Sequence, residues 1–104
     1  MSMPPIDFND LDSTVHGPIR LGVLTALQCD GPLDFTTLKQ RLQVADGSLG
    51  MHLRKLMDHG YITSRRAFVG RRPKTTYRLT PAGRRAFASY VDAMRTLLDA
   101  LDNA

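Results

Sequence analysis

Glutamate and tryptophan are absent from this chain of 104 residues, and cysteine occurs once, as Cys29. One cysteine excludes an internal disulfide. With only three scattered histidines beside it, no zinc-ligand spacing exists, so neither a metal nor a cofactor is expected. The aspartates are dispersed or sit at expected helix ends, which leaves no carboxylate pair for acid–base work. A glycine-rich phosphate loop and a nucleophile with a local base of known pattern are also missing, and the chain does not read as an enzyme. No apolar run approaches bilayer-spanning length, and Met1–Phe8 lacks the basic and apolar regions of a secretory signal. The expected setting is the cytoplasm.

Acid is missing in a more telling way from one long stretch. Between Asp58 and Asp92 there is none, yet Arg65, Arg66, Arg71, Arg72, Lys74, Arg78, Arg84 and Arg85 fall there. Ahead of Thr36 the only Lys or Arg is Arg20, against Asp7, Asp10, Asp12, Asp30 and Asp34. The net charge of +4 thus conceals a polarised surface whose basic half suits a polyanion. Nucleic acid is the leading partner. An anionic membrane is the weaker one, since no tryptophan accompanies the bases.

The length fits one domain. Phe8–Val15 has the spacing of a short helix. Pro18 suits the first turn of a helix over Ile19–Gln28 that is apolar nearly all round, and such a helix is buried on more than one side, here with a second protomer as one candidate. Asp30-Gly31-Pro32 is a turn, and Leu33–Phe35 is a small edge strand. Thr36 is placed to cap a helix over Thr37–Gln43, and Val44-Ala45 leads tightly into the next.

That next helix, Asp46–His59, organises the chain. Leu49, Leu53 and Leu56 recur at helical spacing on one side, and Ser48, Met51, His52, Arg54 and Lys55 occupy the other. Asp46 is the expected N-cap and Gly60 the left-handed C-terminal residue. Gly50 costs this helix about 1 kcal/mol relative to alanine. Two short helices joined by a tight turn, the second basic on its outer face, form a helix-turn-helix. Tyr61–Val69 and Thr75–Leu79 are strand-like, with Gly70-Arg71-Arg72-Pro73-Lys74 as a cationic hairpin tip. Pro73 is expected to keep that tip out of the ladder. Thr80-Pro81 restarts a helix as N-cap and first residue, running to Leu101 with an apolar face through Tyr90, Met94, Leu97, Leu98 and Leu101.

The motifs Asp34-Phe35-Thr36-Thr37-Leu38, His52-Leu53-Arg54-Lys55-Leu56 with Gly60-Tyr61-Ile62, and Gly70 to Arg84 occur in the order of a known family. Together they resemble the winged-helix domain of MarR/ArsR-like bacterial and archaeal transcriptional regulators, in a short single-domain form with a C-terminal dimerisation helix. The resemblance implies a mainly α (α+β) fold: a winged helix-turn-helix with a two-stranded wing and a long C-terminal helix. It divides the chain into an extension or short helix (1–14), a DNA-binding unit (15–80) and a dimerisation helix (81–104). It further implies a homodimeric regulator, a repressor in kind, that binds an inverted-repeat operator in double-stranded DNA. Thr36, Thr37, Ser48, Met51, His52 and Lys55 would lie in or beside the major groove, and Arg71, Arg72 and Lys74 would be the wing contacts. Ile19, Val23, Tyr90, Met94, Leu97, Leu98 and Leu101 would form the dimer interface. Gly50 and Met51 depart from the family, which often has a small hydroxyl residue and then a polar or basic one before the histidine. That shifts sequence reading towards Ser48 and Lys55.

Ordinary structural roles compete at each position. A cationic helix face can be merely solvated, and Cys29 reads as a small core hydrophobe. His16 suits a helix entry and His59 a helix C-terminus. Arg54 is placed to turn towards Asp58 at i+4. Arg84 and Arg85 sit unfavourably at a helix start, where an aspartate or a phosphate would neutralise them. A protein-interaction scaffold and an RNA-binding winged helix are the alternative functions.

Overall fold

The computed structural model describes residues 11–104. Seven elements follow in order: α1 (Pro18–Asp30), β1 (Leu33–Asp34), α2 (Phe35–Leu42), α3 (Asp46–Asp58), β2 (Ile62–Val69), β3 (Arg72–Leu79) and α4 (Pro81–Asp102). The three strands form one antiparallel sheet in the order β1-β3-β2. The expected mixture of helices and a small sheet is what the chain forms.

The proposed helix over Phe8–Val15 lies partly outside the described residues. Its described part is a single turn, in which the N–H groups of Val15 and His16 both donate to the Asp12 carbonyl. Beyond it, α1 is the central element. Its residues Val23, Leu24 and Leu27 are fully buried, and the helix packs against α2, α3, α4 and β3. The surfaces that cover these three residues therefore belong to the same chain. A second protomer is not needed to explain them, and Val23 has no area left to offer one.

Local chemistry accounts for the helix ends, with two corrections. The N-cap of α2 is Asp34, whose carboxylate accepts from the Thr37 N–H at 3.1 Å. Thr36 was the expected cap, but it already lies inside the first turn. For α3 the cap is Ala45, with no side-chain bond. Asp46 is instead the first helical residue, where it still favours the positive end of the dipole and pairs with Lys39 of α2 at 2.6 Å. The turn between α2 and α3 passes through Gln43, a non-glycine residue with φ 53°. Gly60 turns at φ 73° after α3, and Thr80 caps α4 by accepting from Gly83 N–H at 3.0 Å, both as expected.

The wing is longer and its turn shorter than the sequence suggests. Arg72, Pro73 and Lys74 belong to β3, paired with Val69, Phe68 and Ala67. Only Gly70 and Arg71 form the connection, with positive φ at the glycine alone, as in a two-residue type II′ hairpin. Pro73 enters the ladder because β1 pairs with Thr76 and Tyr77 only. At the level of Pro73 the strand has a neighbour on one side, and there a missing N–H is tolerated.

The root of the wing is fixed to α4. Thr80 N–H donates to the Tyr61 carbonyl at 3.0 Å, and Thr80 Oγ1 donates to the Gly60 carbonyl at 2.6 Å. Gly83 packs so closely here that an added Cβ would lie 2.1 Å from the Tyr61 carbonyl oxygen. The Tyr61 hydroxyl in turn donates to Asp12. Burial alone would raise the Asp12 pKa, but this hydroxyl and the N–H groups of Thr14 and Val15 outweigh it, so the carboxyl lies below its ordinary 3.8. The same bond pushes the Tyr61 phenol up to about 12.

Candidate nucleic-acid interface

Three leucines decide which side of α3 is free. Leu49, Leu53 and Leu56 are fully buried, which turns Ser48, Met51, His52 and Lys55 outward at i, i+3, i+4 and i+7, along one stripe. Met51 is 61% exposed, and Lys55 is exposed, while Ser48 and His52 are half-buried. Met51, His52, Arg54, Lys55 and Asp58 line a shallow depression together with Arg20 of α1. Arg54 is exposed and, among the described residues, makes no ion pair; the expected bridge to Asp58 is not formed.

Arg20 is the residue that sequence reasoning missed. Its Nη1 approaches His52 Nδ1 at 3.0 Å, while Nε donates to the Thr14 carbonyl at 2.6 Å. Nη2 reaches the carbonyls of Ser13 and His16. Burial first, and then the charges of Arg20 and Lys55, hold the His52 pKa below its ordinary 6.5. Both effects favour the neutral imidazole. One signal was available: Arg20 is the sole Lys or Arg ahead of Thr36.

Strand register sorts the wing cations. Thr63 pairs with Arg78, Arg65 with Thr76, Ala67 with Lys74 and Val69 with Arg72. Alternation puts Arg65, Arg72, Lys74 and Arg78 on one face, opposite the face that carries buried Ile62, Tyr77 and Leu79. Arg71 stands at the tip. Lys74 differs from the others because it faces Asp34. The Thr37 contact is the main cause of the lowered Asp34 pKa, and Lys74 adds to it. Lys74, Thr36 and Pro73 line one hollow, where the wing meets the start of α2. Thr36 is exposed there, whereas Thr37 is half-buried and gives its N–H to the cap. In the sequence Arg65 and Arg78 stand out only as part of the basic stretch.

The remaining expected residues separate. Tyr90 is buried in this chain's own core and its hydroxyl lies 2.8 Å from His16 Nδ1, so His16 is a partner of α4. His59 Nδ1 lies 3.1 Å from the Lys55 carbonyl, the expected helix-end role. Cys29 is exposed rather than in the core, because the inward side of α1 at that level is taken by Leu27. Ile19, Met94 and Leu97 are half-buried, and Leu98 and Leu101 are 53% and 72% exposed. Arg84 and Arg85 are exposed and form no ion pair among the described residues.

Among the described residues no group of His, Cys or Asp could hold a metal ion, and no helix is long and apolar enough to cross a membrane. A helix with an outward polar stripe, backed by a helix-turn-helix and flanked by a cationic hairpin, matches one family over residues 19–98, described as a winged helix DNA-binding domain. The chain belongs to that family. Its relatives include the uncharacterized protein MJ0432 of Methanocaldococcus jannaschii, 33% identical over 73 residues, which span 70% of this chain and 79% of that protein. Among solved structures, a transcriptional regulator homologue from Pyrococcus horikoshii OT3 superposes with a TM-score of 0.82 at 23% identity, over 90% of this chain and 94% of that one. A PadR family transcriptional regulator from Eggerthella lenta superposes with a TM-score of 0.67 at 23% identity, over 80% of this chain and 79% of its own. Those two likenesses concern the fold. The family is one of winged-helix DNA-binding domains.

Proposed function

We propose that this winged-helix protein is a homodimeric repressor in the cytoplasm that reads an inverted-repeat operator. In this reading α3 enters the major groove, Ser48, Met51, His52 and Lys55 meet base edges, and Arg71, Arg72 and Lys74 contact backbone or minor groove. The observation that carries it is the division of α3: a back sealed by three leucines and an outward stripe on which Met51 and Lys55 are exposed among the described residues. In the same reading Thr36 and Thr37, at the start of α2, would contact the flanking DNA. The unit over 15–80 binds DNA, and 81–104 joins two copies.

The dimer part rests on α4, whose 22 residues extend about 33 Å at 1.5 Å per residue. Met94, Leu97, Leu98 and Leu101, with Ile19 beside them, form the interface in this reading. Val23 and Tyr90 drop out because this chain already covers them. Two-fold pairing of α4 would set the two α3 helices roughly 34 Å apart, one turn of DNA.

Selection of bound duplexes from a random or genomic pool tests the proposal. An inverted repeat should emerge, and Ser48→Ala and His52→Ala should each lower discrimination by about 1–3 kcal/mol. If both variants keep the wild-type preference, α3 is not the reading helix.

A further inference from the structure

A guanidinium carries only N–H donors, so any ring nitrogen it bonds must accept. Arg20 Nη1 lies 3.0 Å from His52 Nδ1, which makes the neutral ring protonated on Nε2. The rest of the Arg20 fork is anchored on three carbonyls of the turn before α1, those of Ser13, Thr14 and His16. The clamp is thus held from behind by backbone and does not depend on a mobile partner. Nε2 is the nitrogen left for a ligand, in the depression that His52 shares with Met51 and Lys55.

We infer that Arg20 is a positioning residue for sequence reading: by occupying Nδ1 it commits His52 to the Nε2–H form, and so to a base edge that accepts a hydrogen bond. Guanine O6 or N7, adenine N7 and thymine O4 satisfy that donor, whereas the cytosine amino group, itself a donor, is refused. A histidine free to change tautomer would accept from cytosine as readily as it donates to guanine. Arg20 removes that ambiguity from a position 32 residues away in sequence. The inference rests on the proposed docking of α3, but its first half concerns the free protein alone.

The test uses the full chain in two measurements. Long-range 1H–15N spectra of the imidazoles, without DNA, are assigned with His52→Gln. Wild-type His52 should be neutral at pH 7 with its proton on Nε2, and Arg20→Met, which keeps the apolar stem, should give mixed tautomers. Duplex selection is then run on wild type and both variants. At the base position that His52→Gln relaxes, Arg20→Met should lower the preference against cytosine about three- to tenfold, the worth of one neutral hydrogen bond. Other positions should keep their order. An arginine that merely holds the turn would, on removal, weaken every position alike and leave the tautomer unchanged. A wild-type His52 protonated on Nδ1 overturns the inference whether or not any variant folds. So does an Arg20→Met protein that keeps full discrimination at that base. If His52→Gln itself loses nothing at any position, the docking of α3 is refuted and the specificity role falls with it, a failure distinct from a wrong tautomer in the free protein.

Discussion

Consider the wing stripped of three cations by Arg71→Ala, Arg72→Ala and Lys74→Ala together. All three side chains are exposed, so the fold should persist and the change should be read in binding alone. Each phosphate neutralised contributes about 0.9 to the slope of log K against log salt, so raising salt from about 50 to 200 mM weakens binding roughly 3.5-fold per contact. The two arginines, which form no ion pair among the described residues, would account for about twelvefold of that sensitivity. Lys74 is worth less, because it must leave Asp34, which it faces in the free protein, to meet a phosphate. The triple variant should therefore lose about two units of slope rather than three, while Arg65 and Arg78 on the same face retain part of the attraction. Anisotropy titrations on the selected duplex and an unrelated one, across a salt series, give both slopes. Cognate and unrelated DNA should weaken by the same factor. An unchanged slope would remove the wing from the mechanism, and loss confined to the cognate duplex would mean that it reads bases.

Four further outcomes are expected. Gly83→Ala should destabilise by about 1–3 kcal/mol or more, because its Cβ would stand 2.1 Å from the Tyr61 carbonyl oxygen, an overpacking that outweighs the helical gain. Gly50→Ala, whose Cβ would meet nothing within 4 Å, should stabilise by about 1 kcal/mol; urea unfolding that ranks the two the other way would refute the docking of α4 on Tyr61. Leu97→Asp with Leu101→Asp should sediment as a monomer and lose the inverted repeat while keeping a melting transition, and a wild-type monomer that binds one half-site tightly would sink the dimer. Asp34→Ala should cost about 1 kcal/mol at neutral pH through the lost cap. The Asp34 carboxyl sits below its ordinary 3.8 in the folded chain, so its contribution is complete above that value and fades as pH falls through the folded pKa. Unfolding curves of variant and wild type should accordingly converge in acid, and a constant difference would contradict the assignment.

Period and punctuation carried most of the architecture. The leucines of α3, Gly60 after it and Thr80-Pro81 ahead of α4 declare themselves through spacing and backbone preference, which are local properties. The misplacements arose where the deciding partner is remote or where two local candidates compete. Asp34 and Thr36 are both competent caps, and only the backbone path from β1 into α2 settles which carboxylate or hydroxyl meets the Thr37 N–H. Asp46 is drawn to Lys39, a residue of another helix. In the wing, the alternation of Arg72, Lys74 and Arg78 was present in the letters, but which face they share depends on the turn being Gly70-Arg71 and no longer. The Arg20–His52 contact joins α1 to α3 across the fold, and no spacing rule reaches that far. Cys29 failed for the opposite reason: a small apolar residue on a very apolar helix is placed by chance on whichever side the larger neighbours leave.

The pairing of β1 with residues 76 and 77 of β3 has a consequence for how the protein comes into being. The strand that completes the sheet is made some forty residues after the one it embraces, and α1 also waits for β3 to cover it. During synthesis the three short helices can gather early through contacts close in sequence, but the assembly stays open on one flank until Tyr77 and Leu79 arrive. Closing so wide a loop is the slow, entropically costly step. A chain halted before that point would hold its recognition helix without a lid on the core, and would meet proteases before it met DNA.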